Sequence, residues 1–203
     1  MNHNTFDYNN WRPLSVEKVL GLLSGLDIFW CFAGGYAIEL FVGKPIRNHG
    51  DIDILIKRTD QLKLQEHLAH WELYWATKPG LKRWEQDEWI SEGFYDIWCR
   101  SDEAGPWQLQ IMLFDTEGEH WLFKRDPKIR KPVSSIFQIT RSGIPYLCPE
   151  IQLLYKAKAK TIEKDKIDFD AVSPLLDQSA RLWLIESLQK CFPEGHGWIK
   201  KLG

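Results

Sequence analysis

The order of apolar and polar positions predicts alternating helices and strands in the first third of the chain. Apolar residues recur at helical spacing after Ser15, whose hydroxyl suits a helix N-cap. A wholly apolar run is typical of a buried strand, whereas alternation is typical of a strand with one buried face. The predicted elements are a helix after Ser15, a strand over residues 28–33, a helix over residues 36–42 with Gly43 as its stop, a strand over residues 51–57 and a helix capped by Thr59.

The middle of the chain predicts strands, and the last quarter predicts helices. Four candidate strands, expected to be largely antiparallel neighbours, cover residues 71–76, 94–99, 107–114 and 120–124. From Pro149, which suits the first position of a helix, apolar residues recur at helical spacing in three segments. The expected fold class is α/β (α+β), a small mixed sheet with flanking helices. We expect a core over residues 1–145, opening with a loosely held arm, and a C-terminal helical segment over residues 146–203 packed on that core.

Composition narrows the class of protein. Among 203 residues, Lys and Arg number 26 and Asp and Glu number 28, and this net charge of −2 gives no support to a nucleic-acid partner. The four cysteines form no CxxC pair. Three of them lie in apolar or aromatic runs and are expected to be reduced, buried thiols; they are Cys31, Cys99 and Cys148. Neither a membrane-spanning apolar run nor an apolar leader is visible, so we expect a cytoplasmic protein without membrane contact.

The first candidate for chemistry is a pair of aspartates at the start of a predicted strand. Alternate residues of a strand point to the same face, so Asp51 and Asp53 share one face, about 6–7 Å apart along the strand. The isoleucines between and after them point to the opposite face, which we expect to be the core. Two neighbouring carboxylates repel each other, and Mg²⁺ relieves that repulsion while it also binds substrate phosphates.

The second candidate is the glycine pair Gly34-Gly35, which separates a predicted strand from a predicted helix. Backbone N–H groups at a helix N-terminus bind phosphate. Glycine pairs mostly form turns and paired aspartates are common on surfaces, so each feature alone is weak evidence. Their combination, with Asp51 about sixteen residues after Gly35, indicates a triphosphate held between the glycine turn and a carboxylate-bound metal.

At these residues the sequence resembles a known family. It is similar to the nucleotidyltransferase superfamily of the DNA polymerase beta type, and more narrowly to its aminoglycoside 2″-adenylyltransferase-like branch. The resemblance extends over nearly the whole chain after the arm. The matching blocks are Ala33-Gly34-Gly35-Tyr36-Ala37, Gly43, Arg47, His49, Asp51-Ile52-Asp53, residues 123–127, 145–150 and 153–158, Lys164-Asp165 and Asp168-Phe169.

The resemblance implies an enzyme that transfers a nucleoside monophosphate to a hydroxyl and releases pyrophosphate. The donor is expected to be ATP, and the acceptor a small hydroxylated molecule of aminoglycoside-like kind. Under this interpretation, Asp51 and Asp53 hold one or two Mg²⁺ ions, and Gly34 and Gly35 carry the triphosphate.

Several other residues allow two interpretations each. Arg47 and His49 are assigned to nucleotide binding, with hydrogen bonding inside their loop as the alternative, and Lys156 is assigned to the triphosphate, with a solvated helix face as the alternative. Asp165 and Asp168 share a helix face, where an ion pair with a lysine is favoured over metal binding. Four tryptophans could line an acceptor pocket or pack in the core, and core packing is the favoured interpretation. These residues are Trp84, Trp89, Trp98 and Trp107.

One predicted catalytic position departs from the family pattern. The superfamily places a third carboxylate beside the acceptor hydroxyl, and the aligned residue here is Gln110. A glutamine amide accepts no proton as a carboxylate does, and it is a poorer metal ligand. We expect Gln110 to face the same cleft as Asp51 and Asp53, with Asp96 or Asp115 as the substitute acid or with an acceptor activated in another way. The alternative is a nucleotidyltransferase fold with weakened or lost catalysis that binds nucleotides or a partner.

Overall fold

The structure, a computed structural model, describes residues 6–78 and 80–203, and the chain forms two compact units. The first unit consists of the chain up to Trp30 and of Gly50–Phe114, and the second consists of Cys31–His49 and Asp115–Gly203. Each unit contains helices and strands, which confirms the predicted α/β (α+β) class. The predicted division between residues 145 and 146 stays a prediction. Residues 1–5 of the predicted arm lie outside the described residues.

Every predicted helix and strand has a counterpart in the structure. The helices are α1 (Val16–Leu22), α2 (Gly34–Val42), α3 (Gln61–His67), α4 (Pro149–Lys156), α5 (Glu163–Val172), α6 (Gln178–Cys191) and α7 (Gly197–Leu202). The strands are β1 (Trp30–Ala33), β2 (Asp53–Lys57), β3 (Glu72–Ala76), β4 (Leu81–Arg83), β5 (Asp96–Arg100), β6 (Leu109–Glu117), β7 (His120–Phe123), β8 (Asp126–Pro132), β9 (Phe137–Ile139) and β10 (Pro145–Leu147). The unpredicted strands β4, β8, β9 and β10 are short or rich in polar residues. In the part of the chain that the structure describes, no helix is long and apolar enough to cross a membrane.

The first unit is built on a mixed sheet of five strands. Their order is β4-β3-β5-β6-β2, with β6 and β2 parallel and the other neighbours antiparallel. Strand β6 belongs to this unit as far as Phe114. Ile54 and Ile56 of β2 are fully buried, as are Ile97 of β5 and Ile111 of β6. The apolar face predicted for the strand after Asp51 therefore forms part of the core.

The described part of the N-terminal arm is fixed to the first unit, whereas we expected it to be loosely held. The N–H of Arg12 donates to the carbonyl of Trp107 at 2.9 Å, and the N–H of Trp107 donates to the carbonyl of Asn10 at 2.8 Å. The ring of Trp11 packs edge-on against that of Trp98, with centroids 4.9 Å apart. Backbone pairing and aromatic contacts together hold the arm, because its aromatic residues find buried partners.

Several predicted boundaries differ from the structure, and three of them concern α2, β2 and α3. Helix α2 begins at Gly34, two residues earlier than predicted, and β2 begins at Asp53, two residues later. Thr59 does not cap α3, because it lies in a 3₁₀ turn over Arg58–Asp60 that precedes the helix. That turn carries the Arg58 guanidinium inward, where it donates to three backbone carbonyls. The buried arginine therefore decides the local geometry that we had assigned to a threonine cap.

Helices α2, α4 and α5 of the second unit pack against one another. Helix α2 contacts α4, α5 and β10, and α4 also contacts α5 and α6. Strand β10 pairs in parallel with β1 and antiparallel with β9. The Arg125 guanidinium fixes the end of α4 by donating to the carbonyls of Leu154, Tyr155 and Ala157. Helices α2 and α4 carry three of the nucleotide-binding candidates of this unit, which are Gly34, Gly35 and Lys156.

The cysteines are free thiols. Cys31, Cys99 and Cys148 are buried, and Cys191 is partly exposed. Burial raises the pKa of each of the three buried thiols, so these side chains stay protonated and behave as small apolar groups. The expectation of buried, reduced thiols is confirmed for these three residues.

Candidate functional site

The pairing of β2 with β6 decides which side chains share a face with the aspartates. Asp53 is the first residue of β2 and is 8% exposed, whereas Asp51 is half-buried. Asp53 lies opposite Gln110 in the parallel register, and the N–H of Gln110 donates to the carbonyl of Ile52 at 2.9 Å. Residues opposite each other in neighbouring strands point to the same face of a sheet. Gln110 therefore shares a face with Asp53.

The amide of Gln110 contacts a carboxylate on the next strand. Its Nε2 donates to Oδ1 of Asp96 at 3.1 Å. Asp96 opens β5 and lies opposite Met112, which is two residues beyond Gln110 and so points to the same face. Asp115, the other candidate for the missing acid, belongs to the second unit, where it lies opposite Leu122 of β7. Asp96 is the candidate that the structure places beside Gln110.

The donor set at the start of β2 fits Mg²⁺ that arrives with a nucleotide. Among residues 6–78 and 80–203, no group of three or more His, Cys, Asp and Glu side chains is arranged to hold a metal ion. Mg²⁺ is commonly bound through one or two carboxylates, with water and substrate phosphates filling its other positions. Asp51 and Asp53 supply two carboxylates on one strand end, so the residues present match this mode of binding.

The four tryptophans considered for an acceptor pocket do not form one cluster. Trp98 lies opposite Gln110 in the sheet and packs against Trp107 with ring centroids 5.4 Å apart. Trp107 and Trp84 are buried, and Trp89 is 49% exposed. The half-buried Trp98 is therefore the tryptophan that borders the sheet face of Gln110.

Gly34 begins α2 in a backbone conformation that favours glycine. Its φ is +63°, and its buried N–H donates to Oε1 of Gln152 at 2.8 Å. Gln152 lies on α4 and is 4% exposed. A side chain of α4 thus fixes the first residue of α2. No local pattern could reveal this partner, because the two residues are 118 positions apart.

The absent side chain of Gly35 makes room for the residues that precede the aspartates. A Cβ atom at Gly35 would lie 2.2 Å from Cε1 and Nδ1 of His49 and 2.8 Å from Nη2 of Arg47. The His49 ring also lies against that of Tyr36, with centroids 4.7 Å apart. The close approach observed at Gly35 is therefore that of His49 and Arg47, and the predicted approach of phosphate stays a prediction.

Glu39 organises the loop that carries Arg47 and His49. Its Oε1 accepts the N–H of Ile46 at 2.8 Å and that of Arg47 at 3.4 Å, and it lies 2.8 Å from Nε2 of His49. Burial raises the pKa of Glu39, but these hydrogen bonds and the neighbouring imidazole outweigh it and hold the pKa below its ordinary value. Glu39 therefore stays ionised and fixes the loop. Sequence reasoning missed this residue, because an acidic side chain on a helix ordinarily indicates only a solvated face.

A buried carboxylate joins two of the nucleotide-binding candidates. Asp168 of α5 is fully buried. Its two carboxylate oxygens accept hydrogen bonds from Nε and Nη2 of Arg47, each at 2.8 Å. Its Oδ2 also lies 2.8 Å from Nζ of Lys156. Asp165 lies beside Lys156 at 4.0 Å and beside Lys158 at 3.5 Å. Burial raises the pKa of Asp168, but the bonds from Arg47 and the charge of Lys156 outweigh it and lower the pKa. Asp168 therefore forms the ion pair with a lysine that the helix spacing favoured.

The predicted site residues fall into two sets, one in each unit. The first unit holds Asp51, Asp53 and Gln110, and the second holds Gly34, Gly35, Arg47, His49 and Lys156. Within the second set, the Arg47 guanidinium lies beside the place that a Cβ atom of residue 35 would occupy. Arg47 and Lys156 both form ion pairs with Asp168. The structure thus places these two cations, far apart in the chain, on one carboxylate.

Comparison with known proteins identifies a family. Residues 15–171, well over half of the chain, match the sequence profile described as aminoglycoside-2″-adenylyltransferase. The chain belongs to this family. Among curated proteins, none matches the sequence.

Three solved structures share the fold of this adenylyltransferase-family chain. The lincosamide antibiotic adenylyltransferase LnuA, with lincomycin bound, is 17% identical with a TM-score of 0.56, over 81% of this chain and 100% of its own. ANT(2″)-Ia in complex with adenylyl-2″-tobramycin is 12% identical with a TM-score of 0.55, over 86% of this chain and 95% of its own. An antigenic nucleotidyltransferase-like protein from Paracoccidioides brasiliensis is 15% identical with a TM-score of 0.51, over 94% of each chain. These likenesses show the fold, and the family match confirms the expected class of enzyme, a nucleotidyltransferase.

The contact between Gly35 and His49 predicts a double-mutant cycle. We expect Gly35→Ala to lower the free energy of unfolding by about 1–3 kcal/mol, because the new Cβ overlaps the imidazole. Combined with His49→Ala, the same change should cost about 1 kcal/mol less, since the obstructing ring is gone. Urea unfolding of the four proteins measures both values. Gly21→Ala is the matched control, because nothing lies within 4 Å of its Cβ position in α1; equal costs at Gly35 with and without His49 would contradict the packing described.

The lowered pKa of Asp168 predicts a pH-dependent contribution to stability. We expect Asp168→Asn to cost about 3 kcal/mol near pH 7, because Arg47 and Lys156 lose their buried counter-charge. A carboxylate with a lowered folded pKa stabilises the protein fully above its unfolded pKa of about 3.9, and this contribution disappears as pH falls through the folded value. The difference in free energy of unfolding between the wild type and Asp168→Asn should therefore become smaller below about pH 4. Urea unfolding of both proteins across this pH range measures that difference. A difference in free energy of unfolding that does not change with pH would contradict the prediction.

Proposed function

We propose that this member of the aminoglycoside-2″-adenylyltransferase family transfers AMP from ATP, with Mg²⁺, to a hydroxyl of a small antibiotic-like molecule. One observation carries the proposal. The buried carboxylate of Asp53 opens a core strand in register with Gln110, the position that the resemblance aligns with the family's third carboxylate, and Asp51 lies two residues before it. The fold-sharing LnuA and ANT(2″)-Ia were solved with lincomycin and with adenylyl-2″-tobramycin, which supports an acceptor of this hydroxylated class.

In the first unit, the aspartates would hold the metal. Asp51 and Asp53 supply carboxylate oxygens, which are the ligands that Mg²⁺ prefers. Bound Mg²⁺ neutralises charge on the transferred phosphoryl group and on the leaving pyrophosphate. The protein's own contribution is to place the two carboxylates at the start of β2, where the register with β6 fixes the direction of Asp53.

In the second unit, helix α2 and the cations around Asp168 would bind the triphosphate. The first turn of a helix presents N–H groups and the positive end of the helix dipole, although Gln152 already accepts the N–H of Gly34. Arg47 and Lys156 are both held on Asp168 in this cluster, and cationic side chains of this kind bind the phosphates of a nucleotide. Asp168 holds Arg47 and Lys156 in place before the ligand arrives, so less side-chain entropy is lost on binding.

Trp98 would line the place of the acceptor. It lies opposite Gln110 on the same sheet face and is half-buried, with its ring supported by Trp11 and Trp107. A supported indole offers an apolar surface to the ring of an acceptor whose hydroxyl lies near Gln110. The proposed acceptor is therefore a ring-bearing hydroxylated molecule rather than a flexible chain.

A nucleotide-binding protein without transferase activity is the second candidate, and Gln110 is the observation that favours it. The two are separated by incubating the purified protein with labelled ATP, Mg²⁺ and a panel of aminoglycosides and lincosamides. Acceptor-dependent release of pyrophosphate and a labelled acceptor support the transferase. Nucleotide binding without either product with any acceptor supports the second candidate.

The aspartate pair predicts the metal dependence of nucleotide binding. We expect the double variant Asp51→Asn/Asp53→Asn to lose at least about tenfold in affinity for ATP with Mg²⁺, because the carboxylate ligands are gone. Affinity for ATP with EDTA should be the same as in the wild type. Isothermal titration calorimetry measures both, and Asp102→Asn, which changes an exposed aspartate, is the matched control. Undiminished Mg²⁺-dependent affinity in a folded double variant would refute the metal assignment.

The position of Trp98 predicts a selective effect on the acceptor. We expect Trp98→Ala to raise KM for the acceptor by about tenfold through the loss of ring packing, with KM for ATP unchanged. Trp89→Ala is the control, because this exposed tryptophan has no contact with Gln110 in the sheet register. Initial rates at varied acceptor and varied ATP measure the two constants, and an equal rise in both would contradict an acceptor role.

A further inference from the structure

We propose that Asp96 is the general base for the acceptor hydroxyl and that Gln110 is the positioning residue that orients it. This inference rests on the proposed transfer of AMP. The residue opposite Asp53 in the sheet is the amide Gln110, which donates a hydrogen bond to the carboxylate of Asp96 on the neighbouring strand. The carboxylate nearest to this face of β6 is therefore supplied by β5.

The sheet register puts Asp96 on the required face. Gln110 lies opposite Asp53, and Asp96 lies opposite Met112, two residues farther along β6. Because alternate residues of a strand point the same way, Asp53, Gln110 and Asp96 all point to one side of the sheet. Asp96 is half-buried, so an acceptor can reach it.

A role in stability alone does not explain Asp96. Among the described residues no cation forms an ion pair with it, and its described hydrogen bond is the one from Nε2 of Gln110 to Oδ1 at 3.1 Å. That bond leaves Oδ2 to accept a proton, while it fixes the orientation of the carboxyl group. Gln110 cannot itself take the proton, because a neutral amide is not basic at physiological pH.

The proposed step transfers one proton and exchanges one bond. The acceptor hydroxyl oxygen forms a bond to the α-phosphorus of ATP, and its proton passes to the carboxylate of Asp96. The bond between the α-phosphorus and the bridging oxygen breaks, and its electron pair leaves with pyrophosphate. The products are the adenylylated acceptor, pyrophosphate and protonated Asp96, which returns its proton to water.

The first test removes the base and keeps the shape of the side chain. Asp96→Asn should lower kcat by about 10²–10⁴-fold, the usual contribution of a general base. Calorimetry should show affinity for ATP with Mg²⁺ within about twofold of the wild type, because the base is not needed to bind nucleotide. Asp115→Asn, which removes the other candidate acid, is the matched control and should keep wild-type kcat. Full turnover in Asp96→Asn would overturn the proposal.

The second test exchanges the acid and the amide between the two strands. Asp96→Asn/Gln110→Glu keeps one carboxylate and one amide in contact, so it should recover at least about tenfold of the kcat lost in Asp96→Asn. Gln110→Ala should lower kcat with KM for ATP and acceptor unchanged, because it disturbs the orientation of the base and not binding. A double variant no more active than Asp96→Asn, or a Gln110→Ala protein with wild-type kcat, would contradict the pairing.

These outcomes separate the inference from the proposed function. An active wild type with an equally active Asp96→Asn variant leaves AMP transfer standing and overturns the role of Asp96. A wild type that binds ATP with Mg²⁺ but forms no adenylylated acceptor overturns both.

Discussion

The parallel pairing of β2 with β6 is the constraint on which the candidate active centre depends. It sets Asp53 opposite Gln110, and through the antiparallel pairing of β5 it brings Asp96 to the same face. A shift of one residue along β2 would carry Asp53 to the face of Ile54 and Ile56, which are fully buried. These isoleucines oppose that shift, since a carboxylate among their apolar neighbours would be costly. The packing of the hydrophobic core thereby fixes the face of the sheet on which Asp53, Asp96 and Gln110 lie.

The second unit uses buried charge for a comparable purpose. A buried carboxylate is costly unless it is paired and hydrogen-bonded, and Asp168 meets that requirement through Arg47 and Lys156. Glu39 fixes the same loop from the other end by binding the N–H groups of Ile46 and Arg47. Gly35 completes the arrangement, because the absence of its side chain lets His49 lie against α2. These contacts hold the basic groups of the family motif in one place before any ligand binds.

Local patterns in the sequence predicted the elements well, and distant partners poorly. Alternation along residues 51–57 was enough to predict the buried face of β2, because that pattern is a property of a single strand. The cap assigned to Thr59 was wrong, because a buried arginine next to it decides the turn. Gly34 and Arg47 have side-chain partners more than 100 residues away. No local pattern could therefore reveal Gln152 or the two hydrogen bonds from Arg47 to Asp168. Asp96 was considered as a substitute acid, but its contact with Gln110 required the register of three strands.

The central claim is that Asp51 and Asp53 hold the Mg²⁺ that arrives with a nucleotide. A crystal structure of the protein with Mg²⁺ and a non-hydrolysable ATP analogue tests it most directly. We expect the metal to be coordinated by Asp51 and Asp53 and by phosphate oxygens of the nucleotide. A nucleotide bound elsewhere, or a metal that touches neither aspartate, would contradict the account.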